Sequence, residues 1–450
     1  MRTASINISS IYSDKKRFDS DHYLNINSFL SLNLERNSSK CKTLEEMAFV
    51  YNPPVFKRQF CSRTSRAVMY FQSSDVQMAS EESSVYIYKG QAEKLNLLVK
   101  QGDILVTGFG TIGCVRLVSK YQNDTCYANN VCRIRVNPEF KSGYIYAFLA
   151  SKYGNAQLNK NASGSVVRYI ESPGIKRTLI PMLPQNFLYE VDKLIQESAK
   201  LREDAMDALK SAHNIIEEEF DLSCAKKTPS VSIQSIIASH NKRFEATYHV
   251  SNNRSIYDVI RNKYKNILLG DMVADIFKPN IFKREYVSRN GHKLIGGADM
   301  LKQIPSTDKM ISKRQVENMP SLRMERNYLL ITRAGTIGNV AFVDNQLKDL
   351  VVSEDVLRVV PKDDNTAYYL YAFLSSKIGL KLISLFTYGS VIQHIESQHA
   401  GLIPIPILPD SSFNNIIALT KENIEKIEIA KEKELKAISM VEEEIEKWNN

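Results

Sequence analysis

The chain has 450 residues, of which 43% are hydrophobic, and it carries a net charge of +9. This length is typical of two or three domains with cores of their own, and no apolar run approaches the roughly 20 residues of a membrane span. The first residues, MRTASINISS, lack the apolar core of a secretion signal, so we expect a cytoplasmic protein without a membrane partner.

The cysteine and histidine patterns indicate neither a disulfide framework nor a metal site. The six cysteines contain no C-x-x-C pair, and the seven histidines form neither an H-E-x-x-H motif nor a zinc-finger spacing. We therefore expect reduced thiols, no metal and no cofactor.

The charge is unevenly distributed along the chain. Residues 185–220 carry 4 basic and 9 acidic side chains, and residues 411–450 carry 6 basic and 9 acidic ones. The remainder of the chain therefore has a net charge of +17. A basic domain surface is typical of proteins that bind a polyanion, although a basic but otherwise ordinary soluble protein is the alternative on charge alone.

The tripeptide Asn52-Pro53-Pro54 is similar to the N-P-P-aromatic loop with which adenine methyltransferases hold a flipped base. Val55 occupies the aromatic position, and no S-adenosylmethionine glycine motif precedes the loop. We therefore predict a turn before a strand and no methyltransferase site.

The stretch GFGTIGCVRLV (108–118) has the G-x-G-x-x-G spacing of dinucleotide-binding proteins. That motif holds a pyrophosphate only where the glycine turn opens a helix. Here alternating apolar residues follow the turn and an apolar run precedes it, which predicts two strands joined in a hairpin. Gly110 and Gly113 are accordingly assigned to the turn.

Nearly the whole chain is duplicated at a shift of 225 residues, or 226 near its start. The matched segments are KRFDSDHY (16–23) with KRFEATYH (242–249), GTIG at 110–113 and 335–338, YIYAFLASKYG (144–154) with YLYAFLSSKIG (369–379), GSVVRYIES (164–172) with GSVIQHIES (389–397), and IPMLP (180–184) with IPILP (405–409). Arg333 replaces Gly108 in the second copy, so the shared element is GTIG and not the three-glycine motif. Gly335 and Gly338 are therefore also assigned to a turn.

Each copy is predicted to contain a strand-rich region with one short helix, Tyr144–Tyr153 or Tyr369–Ile378, followed by a long helix. In the first long helix, small or apolar residues recur every 3.5 residues from Phe187 to Ile215, which indicates a partner helix. The second repeats this pattern, with Lys431 and Glu434 interrupting its apolar seam. We predict that the two helices pair; packing of each on its own domain is the alternative.

The predicted fold class is α+β, with two globular domains related by a pseudo-two-fold axis and separated by two long helices that pair as an antiparallel coiled coil. The expected boundaries are a first domain at 1–184, a central long helix at 185–220, a linker at 221–240, a second domain at 241–409 and a distal long helix at 410–450.

The order, duplication and coupling of these motifs to two helices resemble the specificity (S) subunit of a type I restriction–modification system, over residues 16–448. The resemblance implies that each globular copy is a target-recognition domain for one half of an asymmetric bipartite DNA sequence. It implies that the helices set the spacer and dock two methyltransferase (modification) subunits, and that a restriction (translocase/endonuclease) subunit joins the complex. The S subunit itself has no catalytic activity.

Basic and amide side chains between the shared motifs are the candidate DNA contacts, because Arg pairs with guanine, Gln with adenine and Lys mostly with phosphate. They are Lys57, Arg58, Arg63, Arg66 and Arg168 in the first copy, and Lys283, Arg284, Arg289, Lys293, Lys313, Arg314, Arg323, Arg326 and Gln393 in the second. For any one of them, a solvated surface charge is the alternative.

Two other functions remain open from the sequence. One is the DNA-recognition part of another restriction or phage-defence methyltransferase system, and the other is a coiled-coil adaptor that binds no DNA. The charge of +17 outside the helices argues against the adaptor.

Overall fold

The computed structural model describes residues 26–163, 168–222, 225, 230–239, 242–334, 337–389 and 393–449. The chain forms two compact units. Unit 1 comprises Met1–Glu203 and Ile429–Asn450, and unit 2 comprises Asp204–Glu428. Both long helices cross this division, so each unit contains part of both.

Unit 1 is built on two four-stranded sheets and a two-stranded ribbon. Its strands are β1 (Cys41–Thr43), β2 (Ala48–Tyr51), β3 (Phe60–Cys61), β4 (Ala67–Phe71), β5 (Tyr86–Tyr88), β6 (Ile104–Thr107), β7 (Val115–Leu117), β8 (Cys126–Tyr127), β9 (Val131–Val136) and β10 (Leu179–Pro181). Sheet A has the order β2-β9-β6-β7 and is antiparallel; sheet B has the order β3-β5-β4-β8 and ends in the parallel pair β4–β8; β1 pairs with β10.

The helices of unit 1 lie before, between and after these strands along the chain. They are α1 (Ile26–Arg36), α2 (Leu44–Met47), α3 (Lys89–Lys94), α4 (Ser142–Ala150), α5 (Lys152–Lys160), α6 (Ser172–Lys176) and the first part of α7 (Gln185–Glu218).

Unit 2 repeats the strand topology of unit 1, strand for strand. Its strands are β11 (Asn266–Leu268), β12 (Val273–Phe277), β13 (Tyr286–Val287), β14 (Gly291–Ile295), β15 (Met310–Ser312), β16 (Leu329–Thr332), β17 (Val340–Phe342), β18 (Val351–Val352), β19 (Val356–Pro361) and β20 (Pro404–Pro406). Sheet A is β12-β19-β16-β17, sheet B is β13-β15-β14-β18 with β14–β18 parallel, and β11 pairs with β20. Adding ten to each strand number of unit 1 gives its counterpart here.

The helices of unit 2 begin within the segment that the sequence predicts as a linker. They are α8 (Ile233–Ala238), α9 (Ala246–His249), α10 (Asn252–Lys263), α11 (Leu269–Met272), α12 (Lys313–Asn318), α13 (Asp364–Ser375), α14 (Lys377–Leu385), α15 (Ser397–Ala400) and α16 (Asp410–Glu446), whose last part belongs to unit 1. Helix α8 was not predicted; the Ser232 hydroxyl begins it by accepting a hydrogen bond from the Ser235 amide.

Strand β6 of sheet A in unit 1 is buried on both faces, which explains its continuous apolar run. Ile104 and Val106 pack in the core formed with the helices, whereas Leu105, on the other face, packs with Phe71 and Tyr127 of sheet B. Side chains alternate across a strand, so a strand covered on both sides needs apolar residues at every position.

The strands on either side of each glycine turn pair as the sequence predicts. In unit 1 β6 pairs antiparallel with β7, and in unit 2 β16 pairs antiparallel with β17. Gly110 (φ +74°), Gly113 (φ +82°) and Gly338 (φ +87°) all adopt the left-handed backbone that favours glycine. Gly335 lies outside the described residues.

The prediction of one short helix in each copy, Tyr144–Tyr153 or Tyr369–Ile378, was wrong, because each of these stretches spans two helices and further short helices are present. Ser151 adopts an extended conformation between α4 and α5, and its hydroxyl accepts a hydrogen bond from the amide of Gly154 at 3.3 Å. Ser376 does the same with Gly379 at 3.2 Å between α13 and α14. A serine N-cap ends one helix and begins the next although the apolar pattern continues.

The two long helices contact each other within each unit. In unit 1 the Ser198 hydroxyl donates to the carbonyl of Ala430 at 2.7 Å. In unit 2 the side-chain amide of Asn423 donates to the carbonyl of Ala205 at 2.8 Å. The described ranges contain no helix that is both long enough and apolar enough to cross a bilayer.

Candidate nucleic-acid interface

Three sequence motifs of unit 1 meet at one end of sheet A. The Gly108 amide, before the glycine turn, donates to the carbonyl of Asn130 at 3.0 Å, and the Gly108 carbonyl accepts from the amide of Ile170 at 2.8 Å. The Asn52 side chain, from the irregular N-P-P segment after β2, donates to the carbonyl of Asn129 at 3.2 Å. The Asn52 side chain also accepts from the amide of Ser172 at 2.8 Å. Residues far apart in sequence therefore form one hydrogen-bonded surface.

The equivalent segments of unit 2 meet in the same way. The amide of Arg333 donates to the carbonyl of Asp355 at 3.1 Å, and the Arg333 carbonyl accepts from the amide of Ile395 at 3.2 Å. These backbone bonds match those of Gly108 in unit 1. Both copies therefore contain the same set of hydrogen-bonded segments at this end of sheet A, which we call the glycine-turn frame, although their side chains differ.

The side chains on this frame are charged in unit 2. The Arg333 guanidinium lies 2.6 Å from Glu396, and the ammonium group of Lys278 lies 3.9 Å from the same carboxylate. Burial alone would raise the pKa of Glu396, but the hydrogen bonds and charge of Arg333 outweigh it and lower that pKa. Glu396 is therefore ionised at neutral pH and holds Arg333 in place.

The same place in unit 1 carries an aromatic pair, which the sequence interpretation did not identify. Phe109 and Tyr169 are stacked with ring centroids 5.4 Å apart, and they are 37% and 36% exposed. Their counterparts in unit 2, Ala334 and His394, form the corresponding backbone bridge without such a pair. The periodicity of the sequence carries no signal for this contact, because it joins two loops.

Most candidate DNA contacts of unit 1 lie beside sheet B. Lys57 and Arg58 precede β3, and Arg63 and Arg66 lie in the turn between β3 and β4; all four residues are exposed. The Arg58 side chain donates to the hydroxyl of Tyr70 at 2.6 Å, which fixes its direction.

The unit 2 candidates concentrate at the equivalent sheet. Residues 278–326 carry eleven basic and five acidic side chains. The candidates here are Lys283 and Arg284 before β13, Arg289 in the β13–β14 turn, Lys293 in β14, Lys313 and Arg314 at the start of α12, and Arg323 after it. Of these, Arg284 pairs with Glu354 at 2.9 Å, and the other six are exposed.

Three candidates lie elsewhere. Arg168 and Gln393 are exposed on the loop that joins the glycine-turn frame, and Arg168 donates to the carbonyl of Asn159. Arg326 pairs with Glu428 of α16 at 3.2 Å. The structure therefore does not bring these three together with the sheet B group.

Exposed aromatic rings accompany the basic groups on sheet B. Phe60 and Tyr88 in unit 1 are 57% and 50% exposed, and Tyr286 in unit 2 is 54% exposed. Aromatic rings beside basic groups suit stacking on bases or sugars together with phosphate contacts.

An open cleft of about 900 Å³ in unit 1 adjoins the N-P-P segment. Asn52, Pro53 and Pro54 line it together with Phe49 and Tyr51, whose rings lie 5.1 Å apart. Within the part of the chain that the structure describes, no group of three or more His, Cys, Asp or Glu side chains is placed to hold a metal ion.

Part of the chain matches a family model, and its structure is similar to solved structures. Residues 261–439 match the family model described as Type I restriction modification DNA specificity domain. The structure is similar to the type I system S subunit from M. genitalium, with 14% identity over 91% of this chain and 95% of that chain and a TM-score of 0.34. For the HsdS subunit from Thermoanaerobacter tengcongensis, identity is 15% over the same shares, with a TM-score of 0.29. No curated protein gave a significant match.

Proposed function

We propose that this chain, whose residues 261–439 match the family model of the type I restriction–modification DNA specificity domain, is the non-catalytic specificity subunit of such a system. The family indicates a role in DNA recognition. In the proposal, each unit contacts one half of an asymmetric bipartite target through its own basic surface. Methyltransferase subunits, two in number, and a restriction subunit supply the chemistry.

The observation that carries the proposal is the repeated topology with unequal surfaces. The ten strands of unit 1 recur in the same order in unit 2. The side chains at equivalent places differ, as Phe109 and Tyr169 do from Ala334 and His394. One scaffold with two sets of surface groups suits two different half-sites.

The proposed base and phosphate contacts are the exposed side chains around sheet B. They are Lys57, Arg58, Arg63 and Arg66 in the first copy, and Lys283, Arg289, Lys293, Lys313, Arg314 and Arg323 in the second. Arg168 and Gln393 are proposed as contacts from the adjoining loop. Arg284 is proposed to be oriented by Glu354, and Arg326 to stabilise the contact with α16.

We also propose that α7 and α16 pair antiparallel, set the spacer between half-sites and dock the methyltransferase subunits. The contacts of unit 2 support this direction, because Ala205 of α7 bonds to Asn423, while Glu219, just after the end of α7, bonds to Ser412, earlier in α16. The boundaries that follow are domains at 1–184 and 241–409, helices at 185–220 and 410–450, and a linker at 221–240.

Exchanging one target-recognition domain tests the proposal. Residues 16–184 are replaced by the equivalent segment of a relative, the chain is expressed with its methyltransferase subunits, and the methylated motif is read by methylome sequencing. One half of the motif should change and the other should stay. The matched control exchanges residues 242–409 and should change the opposite half. A change in both halves, or in neither, contradicts modular recognition.

A further inference from the structure

Each unit buries an arginine at the same place in sheet A. Arg133 in β9 and Arg358 in β19 are related by the 225-residue shift, and both are 0% exposed. Neighbouring side chains in β9, Cys132 and Ile134, pack against the helices, so Arg133 lies on the face toward sheet B.

Among the described residues, the Arg133 guanidinium donates to backbone carbonyls alone. Its Nη1 donates to Ala128 at 3.0 Å and to Val131, and its Nη2 donates to Tyr127 at 2.6 Å and to Leu97 at 3.2 Å. Of these carbonyls, that of Ala128 lies in the turn that joins β8 to β9, and those of Tyr127 and Val131 lie directly on either side of it. Burial lowers the pKa of Arg133.

Arg358 makes the equivalent bonds in unit 2. Its Nη1 donates to Ser353 at 2.8 Å and to Val356 at 2.6 Å, and its Nη2 donates to Val352. Burial lowers the pKa of Arg358 to about 10. Within the described ranges neither Arg133 nor Arg358 has an ion-pair partner, so both guanidinium groups serve to hold the turn.

The outer side of this turn carries the candidate interface. In unit 1 the carbonyls of Asn129 and Asn130 accept from Asn52 and Gly108, as described above. In unit 2 the carbonyl of Asp355 accepts from the Arg333 amide. Glu354, also in this turn, orients the Arg284 guanidinium.

The turn sequence differs between copies, Ala128-Asn129-Asn130 against Ser353-Glu354-Asp355, whereas the arginine beneath it is the same. We propose that Arg133 and Arg358 are positioning residues for DNA recognition, each fixing the turn that holds the glycine-turn frame of its own unit. This inference rests on the proposed function and adds, for each unit, the residue that holds the interface in position.

Arginine suits this role because its planar fork supplies five donors in fixed directions. Methionine fills similar space but leaves the carbonyls of the turn unpaired. Lysine keeps the charge, but its three N–H donors share one nitrogen atom. It therefore cannot reach both the carbonyls bound by Nη1 and those bound by Nη2 of the arginine.

Five variants of the full chain test the inference: Arg133→Met, Arg133→Lys, Arg358→Met, and the matched controls Ile134→Ala and Val359→Ala. Ile134 and Val359 are equivalent fully buried residues of β9 and β19 that face the helices. Hydrogen–deuterium exchange measures the amides of Gly108 and Ile170. Competition binding in the complex with methyltransferase subunits measures discrimination against substitutions in each half-site.

Both Arg133 variants should speed exchange at these amides and reduce discrimination at one half-site roughly tenfold, the scale of one lost base contact. Discrimination at the other half-site should be unchanged. Arg358→Met should produce the reciprocal pattern. Ile134→Ala should lower the thermal midpoint without either effect.

Unchanged exchange in both Arg133 variants would overturn the inference, as would equal loss of discrimination in Ile134→Ala. A wild-type complex that shows no half-site discrimination refutes the proposed function instead. The exchange measurement on the free chain still decides whether Arg133 positions the turn.

Discussion

Glu434 provides the sharpest test of how α16 is held in unit 1. Its carboxylate accepts from the Tyr146 hydroxyl of α4 at 2.5 Å and from Arg202 of α7 at 2.7 Å. The side chains of Arg202 and Glu434 are 12% and 7% exposed. Burial, followed by the nearby charge of Glu434, raises the pKa of Tyr146 well above 10, so the phenol stays protonated.

Removing both charges of this cluster should cost less than the sum of the costs of removing each one alone. Arg202→Met or Glu434→Met removes the ion pair but leaves the other charge buried, and we expect each to lower the free energy of unfolding by about 3–5 kcal/mol. The double variant leaves no unpaired charge, so its loss should be smaller than the sum by about 1–3 kcal/mol.

Trp448, the one tryptophan of the chain, reports on unit 1 in this assay. It packs against the core of unit 1, with the Lys40 ammonium group 5.3 Å from its ring. Urea unfolding followed by tryptophan fluorescence gives the four free energies of the double-mutant cycle. The control is Glu446→Gln, which removes the half-exposed partner of Lys152 and should change stability by less than about 1 kcal/mol.

Additive effects within about 0.5 kcal/mol would refute the coupling of Arg202 and Glu434. A loss in the double variant equal to that of either single variant would support it. An equally large loss in the Glu446 control would show that the fluorescence signal reflects general helix damage.

Four further outcomes are expected. Arg289→Ala should weaken DNA binding and reduce the slope of log affinity against log salt by about 1. The control Arg326→Ala, which loses the pair with Glu428, should leave that slope unchanged. Equal slopes for the two variants in filter binding would contradict this. The chain alone, incubated with DNA and labelled S-adenosylmethionine, should incorporate no methyl groups above background. Matched heptads inserted at facing positions in both long helices should lengthen the spacer by about three base pairs, since seven residues span roughly 10 Å. An active variant with an unchanged spacer would show that the helices do not set the spacer length. Burial raises the pKa of Tyr144 well above 10, so its contribution to stability is complete below pH 10 and is lost as the pH rises above it; Tyr144→Phe should flatten that part of a urea-unfolding profile.

The sequence identified the elements whose signals are local or repeated. The hairpins around GTIG follow from alternating apolar residues on both sides of a glycine turn, and the structure contains them at β6–β7 and β16–β17. The two long helices follow from a sustained 3.5-residue period. The same reasoning failed at Ser151, where one side-chain hydrogen bond divides an apolar segment into two helices.

Only the tertiary structure decided which side chains meet. The sequence predicted Glu434 as a polar interruption of a helix seam, and it listed Arg326 among candidate DNA contacts. Their partners, Tyr146 and Glu428, lie 288 and 102 residues away along the chain. No pattern in the sequence indicated that Arg133 binds a turn.

The physical reason is the range of each interaction. Periodicity records which face of an element is buried, and that choice is made within a few residues. A buried charge or a loop–loop contact takes its partner from whatever the fold brings near, at a distance along the chain that no local pattern encodes. In this protein the sequence alone thus determined the duplicated scaffold, while long-range packing decided how charges and aromatic rings are arranged on each copy.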